Sequence, residues 1–145
     1  MSLQGPIWLA ARALFAADNG STGLNNSASP AYVTSFNYLQ AGQQQARPYV
    51  VFSIVSDRSN DGKAVDIQES RIAFNVYSDS LLASPGNVYT ILKRLRTVYH
   101  RIASTQTISS VNYNVWFQRA SGNIVPESES VFHHVEVYKV MVTGQ

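Results

Sequence analysis

Residues 47–95 read RPYVVFSIVSDRSNDGKAVDIQESRIAFNVYSDSLLASPGNVYTILKRL, and the changes of period inside that stretch decide the fold. Residues 49–55 are a run of β-favouring side chains, the pattern of a buried strand. Residues 57–66 carry charges and the turn former Asn60-Asp61-Gly62, which predicts a long hairpin connection with a mobile tip. Ile72, Phe74 and Val76 then alternate with Arg71, Ala73, Asn75 and Tyr77, so a second strand follows with one apolar face. After Ser84-Pro85-Gly86 the period changes. Val88, Ile91, Leu92, Leu95, Val98, Tyr99 and Ile102 fall on one stripe at helical spacing. A hairpin followed by an amphipathic helix is the reading.

Working outward, Pro6 followed by Ile7, Trp8, Ala11, Leu14 and Phe15 predicts an opening helix over about residues 6–17. The polar run over residues 18–30 reads as a long loop, either an arm or disordered. Tyr32, Val33, Phe36 and Tyr38 bring back β-favouring side chains. Towards the C-terminus Val111, Tyr113, Val115 and Phe117 alternate with Asn112, Asn114, Trp116 and Gln118. Ser121-Gly122-Asn123 reads as a turn, and residues 131–142 as the closing strand of a second hairpin. Helix, strands, helix, strands predicts a two-layer α+β fold: a mostly antiparallel or mixed sheet of about four to six strands with two helices packed on one face. With 145 residues and no internal repeat, the whole chain, 1–145, reads as a single domain.

Charged residues make up 14% of the chain, against roughly 25% in typical soluble domains. A surface short of charge is suited to being covered by partners. The net charge of +2 is too small to imply a nucleic-acid or membrane surface unless it is clustered. No apolar run approaches the ~20 residues that cross a bilayer, so no membrane association is expected. The predicted outer sheet face carries Tyr77, Trp116 and Tyr138 among Asn75, Asn114 and Glu136. With Arg58, Asp61 and Lys63 around the hairpin tip, these form the candidate oligomer or partner interface. Lys93, Arg94, Arg96 and Arg101 share the polar side of the second helix. They read either as a solvated face or as a basic face for nucleic acid.

Chemistry-bearing motifs are sparse. The chain has no cysteine, which removes thiolate nucleophiles and Cys-type zinc sites. His133 and His134 are neighbours on a strand and point to opposite faces, so they cannot chelate one ion together, and His100 falls on the polar side of the second helix. No serine lies in a nucleophile elbow, and Glu127 and Glu129 follow Pro126 in a connection that reads as solvated loop. Glycine-rich phosphate cradles are missing. No catalytic residue, metal or cofactor is expected, and the protein does not read as an enzyme.

The succession Arg47-Pro48-Tyr49-Val50-Val51-Phe52, a polar hairpin tip, Glu69-Ser70-Arg71-Ile72-Ala73-Phe74-Asn75-Val76-Tyr77-Ser78 and an amphipathic helix resembles the tail terminator, or tail completion, proteins of long-tailed phages and prophages. The opening helix ending in Leu14-Phe15-Ala16-Ala17-Asp18 resembles that family's first helix, so the likeness runs to Leu95. It implies a virion structural protein with no cofactor. Such a subunit forms a homo-oligomeric ring, commonly a hexamer, that caps the head-proximal end of the tail tube and takes part in head-tail joining. Its partners would be the tail tube protein and the head-tail connector protein, with DNA at most passing through the ring lumen. Its place would be the virion tail, assembled in the cytoplasm of the bacterial host. The alternative is a nucleic-acid-binding α+β domain that uses the basic face of the second helix.

Overall fold

The computed structural model describes residues 4–39, 46–60, 67–79, 87–125 and 131–144. In chain order they form α1 (Gln4–Ala17), β1 (Phe36–Tyr38), β2 (Tyr49–Asn60), β3 (Ile67–Ser78), α2 (Val88–Tyr99), β4 (Ile102–Ile108), β5 (Val111–Val125) and β6 (Phe132–Gly144). The strands make a six-stranded sheet in the order β1-β2-β3-β6-β5-β4. Only β1 with β2 is parallel; the other neighbours are antiparallel. The connection through α2 carries the chain from β3 to the far edge of the sheet, and β4, β5 and β6 then return by hairpin pairing until β6 meets β3. This is the α+β fold with a mixed sheet that the periodicity predicts.

Alternation along the strands decides what is buried. Phe52, Phe74, Phe117 and Tyr138, from β2, β3, β5 and β6, all point to the face that carries the helices and are fully buried. From α1 come Ile7, Ala10 and Ala11, and from α2 come Val88, Ile91, Leu92, Leu95 and Tyr99. Each large apolar side chain so buried contributes about 1.5–3 kcal/mol. The Tyr99 ring lies 4.6 Å from Phe74 and 5.5 Å from Phe117, and its hydroxyl donates to the Ala11 carbonyl at 2.7 Å, tying α2 to α1. Asn87 caps α2, its side-chain oxygen accepting from the Thr90 N–H at 2.8 Å.

Several expectations are corrected. The apolar stripe includes Ile102, yet α2 stops at Tyr99. The His100 N–H closes on the Arg96 carbonyl, Arg101 takes a positive φ of 57°, and Ile102 opens β4. The β4–β5 connection is Ser109-Ser110, with φ of 51° and 66°, the backbone of a tight two-residue hairpin. Ser121-Gly122-Asn123 is not a turn but part of β5, paired with β6 beyond a register shift between Arg119 and Ser121. Residues 57–60 belong to the β2 ladder rather than to a loop, and the rest of the predicted mobile tip lies outside the described residues. Tyr32 and Val33 precede β1 without joining a strand.

Trp8 is 38% exposed, because α1 turns Ile7, Ala10 and Ala11 inward instead. The loop after α1 is neither a free arm nor disordered. The Asp18 carboxylate accepts from the Leu24 N–H at 2.7 Å, the Asn26 amide donates to the Asn19 and Gly20 carbonyls, and Leu24 is fully buried. Gly23 is required there, since a Cβ would stand 2.1 Å from the Asp18 carbonyl oxygen.

Candidate assembly surface

Two of the three aromatic residues predicted for the outer sheet face are there. Tyr49, Tyr77 and His133 are directly opposite one another across β2, β3 and β6. The Tyr77 ring stacks between the other two, 4.8 Å from Tyr49 and 4.1 Å from His133. His133 donates from Nε2 to the Asn75 side-chain oxygen at 2.9 Å. Trp116 is 37% exposed on the same face, flanked in the ladder by Ala103 and Met141.

Tyr138 is not on that face. It is fully buried among Phe74 and Tyr99, and burial pushes its phenol pKa up. Glu136, also expected outside, is fully buried as well. Both follow from one parity: with Val140 and Val142 in the core, every second residue back along β6 points inward. Arg58 sits in β2 opposite Glu69 in the ladder, and Asp61 and Lys63 lie outside the described residues.

The basic face of α2 divides. Arg94 folds onto Asp18, with Nε 3.1 and 3.0 Å from the two carboxylate oxygens and Nη2 also bonded to Oδ1. That fork joins the buried Asp18, in the loop after α1, to α2, and the carboxylate beside it raises the Arg94 pKa. Arg96 reaches Glu136 Oε1 at 3.0 Å. Of these four cations, Lys93 and Arg101 are exposed and make no ion pair with a described residue. Arg94 is thus drawn onto the fold, whereas Arg96 bonds Glu136 while its side chain stays 48% exposed.

Around Glu136 a compact cluster forms that the sequence reading missed. Arg119 Nε lies 2.6 Å from Oε2, and His134 Nε2 lies 3.2 Å from Oε1. Burial lowers the His134 pKa; Glu136 pulls it the other way, and Arg96 and Arg119 add to the lowering. Gly122 is directly opposite Glu136, and a Cβ on it would lie 2.7 Å from Oε1. His133 and His134 do point to opposite faces, one to Asn75 and the other to Glu136. His100 caps α2 and accepts from the Arg119 N–H through Nδ1 at 3.1 Å. Glu127 and Glu129 lie outside the described residues. Among the described residues no group of three or more His, Asp or Glu is placed to hold a metal.

Apolar surface and a strand edge also remain outward. Leu39 and Ile124 are 64% exposed, and a shallow groove is lined by Gly5, Trp8, Tyr38 and Ile54. Strand β4, at one end of the sheet, pairs only with β5 among the described residues. Among the described residues, no helix is long and apolar enough to cross a membrane.

No family model matches the chain, and no curated protein matches it. Among solved structures, a chain from the virion of a native gene transfer agent particle is similar to it. The similarity spans 99% of this chain and 96% of that one, at 17% sequence identity and a TM-score of 0.49.

Proposed function

We propose that the protein is a virion structural protein, a ring-forming tail terminator that caps the head-proximal end of a phage tail tube and presents the surface for head-tail joining. The observation that carries this reading is the terminator-like succession over residues 47–95, laid out as the β2–β3 hairpin with α2 packed on its apolar face. The surface supports it. Charged side chains are few, and Asp18, Glu136, Asp79 and Glu69 are each engaged by a cation of the same chain. Apolar groups and a strand edge are left to partners. The protein has no catalytic role in this reading.

A ring needs a head-to-tail contact that closes on rotation, each interface burying on the order of 1,000 Å² or more. Sedimentation over a wide concentration range, with and without tail tubes, tests the proposal. An oligomer of defined size that binds tube ends is expected. A strict monomer that ignores tubes but binds DNA or RNA with steep salt dependence would instead support the basic face of α2 as a nucleic-acid surface. That alternative is weakened by the commitment of Arg94 to Asp18 and Arg96 to Glu136.

A further inference from the structure

We infer that the ring contact is a continuation of the β-sheet from one copy to the next: the free edge of β4 pairs, in parallel, with the part of β2 that β1 leaves uncovered. This rests on the ring reading above and names the surfaces it uses.

Among the described residues the sheet ends at β4 on one side and at β2, partly covered by the short β1, on the other. The uncovered stretch of β2 carries a register shift between Ile54 and Ser56 and the charged Asp57 and Arg58, so β4 is the regular edge of the two. On one side β1 covers β2 only at Val50, Val51 and Phe52, with one further bond from the Leu39 N–H to the Phe52 carbonyl. Among the described residues nothing pairs with that side of β2 over residues 53–60. On the other side β4 offers Ile102–Ile108, seven residues against those eight. Along β4, and along β2 on either side of the shift at Ile54–Ser56, alternate backbone N–H and C=O groups point away from their own sheet and require either water or another strand.

Strand β4 lacks the features that keep edges apart. It has no charged residue, no proline and no register shift in its ladder, and it is not short. Its outer-face side chains are a neutral polar ladder, Thr105 bonded to Asn114 and Thr107 to Asn112, with Ala103 beside the exposed Trp116. On the helix face Ile102 and Ile108 are only half-buried, as they are where a sheet stops. At the β2 edge the 55%-exposed Val55 offers apolar surface, and the groove of Gly5, Trp8, Tyr38 and Ile54 adjoins it, with Gly5 of α1 already beside Ile108 of the same chain.

Strand sense agrees too. Following the antiparallel pairings from β2 through β3, β6 and β5, β4 runs in the same direction as β2. Setting β4 of one copy beside β2 of the next, with the helices of both on the same side, therefore gives a parallel pair. Strand β2 already accepts a parallel neighbour in β1. The contact is heterologous, two different edges, and so has the head-to-tail form that a ring requires.

The test places lysines on the β4 edge at exposed outer-face positions, in the double variant Ala103→Lys and Thr105→Lys, and compares self-association by sedimentation. Circular dichroism and thermal unfolding confirm that the variant is folded. Amide hydrogen exchange of the wild type is measured at low and high concentration in parallel. The inference predicts a self-association constant weakened by about tenfold or more in the variant. It also predicts new protection on assembly at both 102–108 and 53–60. Assembly of the variant equal to wild type, with no added protection at those strands, overturns this inference while leaving the ring reading intact. Protection of β4 alone in a two-fold dimer overturns the pairing with β2. A wild type that never self-associates and never binds tube ends overturns both.

Discussion

Glu136 shows what a single buried charge demands. It is fully buried, and its two oxygens take Arg96, Arg119 and His134 from α2, β5 and β6. Glu136→Ala leaves two guanidiniums facing each other, and a loss of about 3 kcal/mol in denaturant unfolding is expected, the low end of a broken buried pair because both arginines keep some water. Gly122→Ala should cost about 1–3 kcal/mol through overpacking against the same carboxylate. The depressed His134 pKa gives a signed pH effect. The native state holds the ring neutral, and the unfolded chain protonates it first as pH falls below the ordinary value near 6.5. Stability at this residue is present above that pH and is lost as pH falls from there towards the native pKa, so His134→Gln should flatten the slope of stability against pH in that window. On the polar side of α2, Arg94→Ala should cost about 1.5–3 kcal/mol, because it strips a charge-assisted bond from the buried Asp18, whereas Lys93→Ala should stay within about 0.5 kcal/mol. The sequence carried little of this. The spacing of Lys93, Arg94 and Arg96 on a helix does not say which partners tertiary packing brings, and Asp18 lies 76 positions from Arg94.

At the scale of elements, the start and the buried face of α2 were the most legible, since an amphipathic stripe that follows a helix-breaking Ser-Pro-Gly needs no tertiary information. Leu95, fully buried at the centre of its face, should lose about 2–5 kcal/mol on Leu95→Ala through the cavity left, and Asn87→Ala should lose about 1 kcal/mol of cap, both read from chemical unfolding. Strand β4 was illegible for two reasons. Ile102 extends the helical stripe by chance, and the hairpin turn that follows is Ser109-Ser110, which lacks the Asn-Gly signal of a left-handed pair. The turn reading of Ser121-Gly122-Asn123 failed because the glycine makes room for Glu136 instead of reversing the chain. The parity of β6 misled in a further way. Tyr138 and Glu136 read as part of the outer face, and the burial of Val140 and Val142, which share their parity, overrides that.

For the whole molecule, the layer architecture and the two helices on one face were readable from periodicity alone, and the candidate surface was readable in part. Tyr77 and Trp116 face outward, while Tyr138, Arg94 and Arg96 serve the fold. What no sequence pattern supplied is which strands end the sheet, because edge position depends on the β3–α2–β4 crossover and the return of β6 to β3. The central claim, that copies of this chain close into a ring on the end of a tube, is tested most directly by electron microscopy of the purified protein mixed with tail tubes. The account predicts rings of uniform subunit number, free and seated on one end of each tube. Particles the size of a single chain beside bare tube ends, at every concentration, would contradict it.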